Sequence, residues 1–581
     1  MKRTLVSSLL VAAVAGAAGC ISTPDELVEE KQFPLVKGRP EGVRISPRVS
    51  AKLTDGKPVK VRLHIAEEEF STAEVTGGEI SCGTIEDGKL VDGILNGKAA
   101  TSDDFASASE AFKVPLAEAE ARQSRVRAEK WKKVAASLGL SRDAKARLSD
   151  GPSSIEVTLS PQEIGYLAKG DIADVVSIES TEGEPGVVPI GTAFAAIDIS
   201  SVAHPGGWDG TGIGIFYSDP GPVETDRDCI NSSGSRLFRY GVTTPPYPVP
   251  DHATQMVCVV QATAPGARVF YSPSPDYGNG MPASISVASP PVYVSGLSFA
   301  WDDVGEYIGA DRDYDNRILS NRIAHFSGAG NDRENNEGAK VRTPAVAYNV
   351  ITIGASNASD SPSSVAWYSN GGDPETGADK PELVAPGHSI RVSPELWTSG
   401  TSASTAMATG FAADLMEQFS FLRGRPALLR AYLFGASRRI TADSNLVGPL
   451  DGYGEIDYRN STYGRWWWWD TVNSGTFVSD TDGDGRKEVV VSYSLTPGTY
   501  HAVVSWLVSG TYVFSNLKPN MDIDLWVRAP GGGVFAGLTT DQNHEHAKFT
   551  VSTTGTYKFV LERYWNSGSG DVVMGLVVRK R

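Results

Sequence analysis

Between Ser399 and Gly410 the chain reads SGTSASTAMATG, a glycine followed by an unbroken run of small residues. That stretch reads as a loop ending at Gly400 and a helix starting at once, a junction where the hydroxyl of Ser402 is both exposed and held still. A serine at a helix start is by itself only a cap. A serine hydroxyl is also a poor nucleophile at neutral pH, so acyl transfer needs a base to take its proton, a group to orient that base, and donors for the developing oxyanion. Three other stretches offer these parts. Asp219 follows Gly212 to Ser218 (GIGIFYS), the pattern of a buried strand that delivers a carboxylate to its C-terminal end before turning at Pro220-Gly221. His252 opens HATQMVCVV, whose apolar spacing suits a buried helix. Asn331 ends FSGAGN, a strand running into a glycine turn, where an amide can donate to an oxyanion.

The chain order Asp, His, Asn, Ser with these flanks resembles the subtilisin-like serine peptidases. Thr263 to Ala267 (TAPGA) resembles the family's Ala-Pro segment after the histidine, and Pro344 to Gly354 (PAVAYNVITIG) the stretch after the oxyanion asparagine. Trp367 to Gly371 (WYSNG) and Lys380 to Gly387 (KPELVAPG) resemble the segment before the serine, so the resemblance spans roughly residues 190 to 440. It implies Ser402 as nucleophile, His252 as general base and later acid, and Asp219 as the carboxylate holding the imidazole tautomer. Asn331 and the backbone N–H of Ser402 would stabilise the oxyanion, and catalysis would need no cofactor. Ala253 replaces the family's usual glycine after the histidine, Pro220 its threonine after the aspartate, and Ala406-Met407 its Pro-His. These departures adjust geometry without removing a catalytic group. GTSAS also resembles the serine motif of the sedolisins, which use Glu and Asp and place an aspartate where Asn331 stands. An imidazole base implies activity rising through roughly pH 6 to 7, a sedolisin a maximum near pH 4. The other seven histidines read as structural.

Met1-Lys2-Arg3 and the apolar run to Ala18 form a charged region and a hydrophobic region too short to span a membrane. Ala17-Ala18-Gly19-Cys20 resembles a bacterial lipoprotein processing site, with Cys20 as the lipidated N-terminus; a plain secretory signal is the alternative. Ile21 after the cysteine points to the outer membrane, and the lipid would be the only anchor. With 53 basic and 69 acidic residues the net charge is −16, which excludes nucleic acid as an expected partner and suits solubility outside the cytoplasm. Cys229 and Cys258 flank His252 and either bridge in an oxidising compartment or leave Cys258 as a small core residue. Cys82 has no evident partner.

At 581 residues several domains are expected. A signal peptide over 1–19 and a lipidated tether over 20–54 precede a β-α-β pattern over 55–185: strands at 58–65, 154–159 and 174–179, a long charged helix at 118–138 and a short one at 161–169. The placement resembles the propeptides of subtilisin-like enzymes, which implies an intramolecular inhibitor and a cut near Thr181 to Val188. A cut there would free the enzyme from its lipid anchor, so maturation is expected to be release as well. Residues 186–462 alternate strand and helix patterns between glycine-rich turns, and Asp311 to Asp315 reads as a solvated acidic loop. The fold class expected is α/β: a subtilisin-like, mostly parallel sheet with helices on both faces, a small α+β prodomain before it and an antiparallel β-sandwich after it over 463–581. Met521 to Gly531 and Thr554 to Tyr557 resemble the pre-peptidase C-terminal domains of secreted bacterial peptidases. Trp466 to Trp469 read as packing residues at the domain junction, with a ligand-facing role as the alternative. Asp480, Asp482 and Asp484 alternate with glycines, and with Glu488 they resemble an integrin-type calcium loop for a structural ion. The whole reads as an exported, autoprocessed serine endopeptidase acting on protein or peptide substrates. A catalytically inactive surface protein of the same fold, binding protein or carbohydrate, is the alternative.

Overall fold

In the computed structural model the described part of the N-terminal region is residues 44–45, 59–65, 79–86, 89–95, 98–99, 128–134, 154–162, 164 and 175–180. From 203 to 581 most residues are described; the principal stretches left out are 231–236, 240–249, 274–289, 334–337, 358–363, 392–396, 442–446, 472–476, 481–483, 539–541 and 568–571. The expected signal peptide, Cys20, the tether up to 43 and the processing region at 181–188 lie outside the described residues. Among those described, no helix is long and apolar enough to cross a membrane.

The N-terminal strands are β1 (Arg44–Ile45), β2 (Val59–Ile65), β3 (Glu79–Glu86), β4 (Lys89–Leu95), β5 (Lys98–Ala99), β6 (Ser154–Leu159) and β7 (Val175–Ser180). Four of them form one sheet in the order β1-β7-β2-β6. Residues 128–134, inside the expected long helix, are helical, with Trp131 and Val134 fully buried.

The central sheet is built from β8 (Gly214–Ser218), β9 (Leu237–Arg239), β10 (Arg268–Ser272), β11 (Val292–Leu297), β12 (Ala324–Gly328), β13 (Ile351–Asn357), β14 (Ser364–Val365) and β15 (Leu383–Pro386). Its order is β14-β13-β12-β11-β8-β10-β9, with β15 also beside β13. Every pairing is parallel except β13 with β14. Parallel strands need crossovers and are covered on both faces, which is why β8, β11 and β12 are buried along their whole length rather than at alternate residues. A short antiparallel pair, β16 (Ile390–Arg391) with β17 (Trp397–Thr398), leads into the serine helix.

The helices that matter for the site are α1 (Pro250–Thr263), α2 (Gly309–Asn321), α3 (Thr401–Gln418) and α4 (Pro426–Ala436). Helix α3 is buried from Thr401 to Met416 because its residues are small enough to sit against the sheet and α1 together. A Cβ on Gly410 would lie 2.6 Å from Thr263 Cβ, so glycine there sets how closely α1 and α3 approach. The expected solvated loop at Asp311 to Asp315 is instead the first half of α2, and all three aspartates are buried. Asp311 accepts from the Ile308 N–H at 2.9 Å, satisfying the helix start. Asp313 pairs with Arg312 at 2.7 Å. Asp315 accepts from Tyr307, Tyr348 and Asn349. Tertiary donors, invisible in a run of acidic residues, make this burial tolerable.

The C-terminal strands are β18 (Gly464–Thr471), β19 (Lys487–Leu495), β20 (Gly498–Trp506), β21 (Met521–Arg528), β22 (Val534–Leu538), β23 (His544–Val551), β24 (Gly555–Asn566) and β25 (Val572–Lys580), with the short helix α5 (Gly510–Asn516) after β20. They form two antiparallel sheets, β19-β24-β21-β22 and one beginning β23-β20-β25-β18. The second continues β3-β4-β5, so these three strands, grouped by the sequence with the prodomain, belong to the C-terminal sheet instead. Helix α4 lies between this sheet and the central sheet, and Gly575 lets β25 reach the backbone of Leu428. The four tryptophans pack: Trp466 stacks on Phe421 at 4.2 Å, Trp468 lies under Arg425, and Trp467 meets Tyr493 and Phe559.

Candidate active site

The C-terminal ends of β8, β11 and β12 and the N-terminus of α3 meet at one edge of the sheet, the place where an open parallel sheet exposes its strand ends and adjoining loops. Asp219 directly follows β8, and His252 lies in the first turn of α1. His252 Nδ1 is 2.8 Å from Asp219 Oδ1, and both side chains are buried. Burial pushes the Asp219 carboxyl up, opposed by the adjacent imidazole. Two links pin the loop after Asp219 to the helix carrying His252. The Glu224 N–H donates to Thr254 Oγ1 at 2.9 Å, and Cys229 is disulfide-bonded to Cys258. Of the two readings open for Cys258, the structure has the bridge. Tyr271 adds a third restraint, its hydroxyl donating to the carbonyls of Asp219 and Gly221.

Gly400 has φ of 130°, a conformation that a side chain would strain, and its N–H donates to Gly387 O and the Tyr368 hydroxyl. The helix therefore starts abruptly at Thr401 and places Ser402 in its first turn. Asn331 Oδ1 accepts from the Thr401 N–H at 2.9 Å, and Thr401 Oγ1 accepts from the Gly330 N–H. With its oxygen committed, the Asn331 amide keeps a buried NH2 that has no partner. The Ser402 N–H, in the first helical turn, has no intrahelical acceptor, and the helix dipole adds positive potential there. These are the two donors an oxyanion needs.

Ser402 Oγ donates to Ser298 O at 3.4 Å, while Ser298 Oγ donates to Ser402 O at 2.7 Å. The Ser298 N–H donates to Ser218 O, one residue before Asp219, so a continuous bonded path joins the serine to the Asp-His pair. His252 Nε2 has no hydrogen-bond partner, so the link from imidazole to Ser402 is open. The structure thus brings Asp219 to His252 and Asn331 to the start of the serine helix, and holds Ser402 facing Ser298.

Residues 259–454 match the subtilase family, Peptidase_S8. They form a subtilase-family domain. The match includes Asn331 and Ser402 and begins after Asp219 and His252, which are placed by the atoms alone. This subtilase domain supports a serine peptidase with peptide substrates. Solved structures similar to part of the chain include the prenylagaramide maturation protease PagA, 17% identical over 46% of this chain and 98% of that one, TM-score 0.36. Others are the patellamide maturation proteases PatG (16%, 45% and 94%, TM-score 0.36) and PatA (18%, 43% and 96%, TM-score 0.33). A search of the curated proteins finds no match.

Ser298, Thr254, Tyr368 and Asn370 hold the residues of this candidate site in place and carry no distinguishing signal in the sequence. Asn370 organises the loop after Asn331, accepting from the Asp332 and Arg333 N–H groups and donating to Asp332 and Lys340. Its stretch, WYSNG, carried a signal, but no periodicity distinguishes one polar residue in it. Of the expected calcium ligands, Asp480 accepts from the Gly485 N–H and Asp484 from the Arg486 N–H. Glu488 is buried in β19 with Arg528 3.8 Å away, and Asp482 lies outside the described residues. Among the described residues no three His, Cys, Asp or Glu side chains are grouped to hold a metal.

Proposed function

We propose that the chain is a serine endopeptidase of the subtilisin type, using Asp219, His252 and Ser402 with an oxyanion site made by Asn331 and the Ser402 N–H. The observation that carries this reading is the buried 2.8 Å contact between Asp219 and His252 Nδ1, which fixes the imidazole with Nε2 as its free acceptor. For proton transfer the Ser402 hydroxyl must leave Ser298 O and reach Nε2, and catalytic hydrogen bonds commonly close only when substrate is present. Oγ then attacks the scissile carbonyl carbon, and the carbonyl electron pair moves to an oxyanion facing the Asn331 NH2 and the Ser402 N–H. Collapse breaks the C–N bond, the imidazolium gives its proton to the leaving amine, and an acyl-enzyme ester remains. Water, deprotonated by His252, attacks that ester and regenerates Ser402.

The open link at Nε2 also favours a second reading, a noncatalytic surface protein on the same fold. A fluorophosphonate probe separates the two: covalent labelling lost in Ser402→Ala supports the enzyme, and no labelling of unmodified protein overturns it. The proposal extends to export, lipidation at Cys20, inhibition by the N-terminal sheet until a cut near 181–188, and a calcium ion on the Asp480 to Asp484 turn. Mass spectrometry of the exported form tests lipid and cut together, and calorimetry with and without chelator tests the ion.

A further inference from the structure

The C-terminal sheet is completed by the N-terminal part of the chain. Strand β18 runs between β25 and β3, with seven antiparallel register pairs on each side; on the β3 side these extend from Gly464 with Ile85 to Asp470 with Glu79. Strands β4 and β5 extend the sheet beyond β3. Strand β18 is held rigidly by its faces: Trp466 stacks on Phe421, Trp467 lies against Tyr493 and Phe559, and Asp470 accepts from Arg322 at 3.0 Å. Its edges are a separate matter. Without β3, one edge of a strand with four consecutive buried tryptophans would present unpaired N–H and C=O groups. Between Trp466 and Trp469 it has no proline, no charged side chain and no bulge, the devices that protect an exposed edge.

We infer that residues 79–99 are a permanent component of the C-terminal sheet, so that a chain cut between 181 and 203 stays together as a two-chain protein through β3 and β18. The occupant of the β18 edge is thus a named segment of this chain, and the contact is strand addition, in which main-chain bonds supply the hold. Everything before the cut, the lipid-bearing end included, then remains with the enzyme, so maturation is not release. The pairing stands independently of the peptidase reading, and only its consequence for maturation rests on that reading.

The test uses full-length Ser402→Ala protein carrying a site-specific endoprotease sequence between Gly183 and Glu184, so that an added enzyme makes the cut and the chain's own activity plays no part. The two pieces are expected to co-elute in native buffer and to separate in denaturant. Replacing 79–99 by a short Gly-Ser linker should make them separate in native buffer, because the pairing of β3 with β18 is what holds them after the cut. Where that variant does not fold, amide exchange on the cut protein with its hairpin intact decides. The β18 amides directed at β3 should stay as protected as those directed at β25, and in Gly83→Pro they should exchange at least about a hundredfold faster. Separation of the pieces with the hairpin present, co-elution undiminished in its absence, or free exchange along one side of β18 would each overturn the inference.

Discussion

Two buried polar regions around the central sheet differ in how their hydrogen-bonding capacity is used. At the junction facing the C-terminal sheet, Lys380 Nζ uses all three donors, on Ala347 O, Val350 O and Glu382 Oε1. Glu382 also accepts from Arg430 and the Thr352 N–H, and both oxygens of Asp315 are taken. At the sheet edge bearing Ser402, by contrast, Asp219 Oδ2, His252 Nε2 and Asn331 Nδ2 are buried with no partner. A buried polar atom left unpaired costs about 1–3 kcal/mol, so three in one place are a standing cost to the fold. The Lys380–Glu382 pair uses its polar atoms for stability, although Arg430 Nε and Nη1 beside it are also buried without partners, and the sheet edge keeps its own for a ligand.

If that contrast is correct, the two regions fail in different assays. Ser402→Ala should remove fluorophosphonate labelling and lower peptide hydrolysis by about a millionfold, with thermal stability unchanged. Asp219→Asn, which reverses the polarity of the bond to Nδ1, should lower kcat by about ten-thousandfold; near-normal turnover would argue against the tautomer role. Lys380→Met should do the opposite, costing about 3–5 kcal/mol in denaturant unfolding because Glu382 and Asp315 lose one of the two buried cations they face and keep only Arg430, while labelling of the folded fraction continues. Asn331→Ala should lower kcat by about 100- to 1000-fold with KM little changed, and a loss confined to KM would remove the residue from the oxyanion site.

The smallest expected effect concerns acid. His325, on β12, is fully buried, and burial alone lowers its pKa to about 3. Between that value and 6.5 the unfolded chain binds a proton that the folded chain does not, so stability falls as pH drops through this window. The contribution is about 2 kcal/mol between pH 7 and pH 5. Urea unfolding of His325→Phe should therefore show a shallower pH dependence by about that amount, and an unaltered slope would remove His325 from the acid response. Burial also lowers His501, His544 and His546.

Local chemistry explains what could be read in advance. The strand before Asp219, the helix carrying His252 and the small-residue helix at Ser402 are periodic or compositional signals that need no tertiary partner to be visible. The C-terminal strands were readable for the same reason, since β18 to β25 fall within the region 463–581 expected to be antiparallel β-structure. Asp311 to Asp315 misled because acidity predicts exposure unless donors from distant segments surround it, and those donors are Thr343, Tyr348 and Asn349. Ser298 was invisible because a serine after a buried strand has no distinguishing pattern until the α3 backbone lies against it. The placement of 79–99 was hidden for a related reason: a hairpin's own residues do not name the edge it will join.

Sequence alone determined which side chains are available for acyl transfer and the local elements that carry them, because helix starts, buried strands and glycine turns are short-range properties of the chain. Only the tertiary structure decided that Asp219 and His252 bond, that Ser402 rests against Ser298, and that an N-terminal hairpin closes a C-terminal sheet. Those outcomes depend on contacts between residues 33 to roughly 390 positions apart, where packing and strand register choose among partners that local chemistry leaves equivalent.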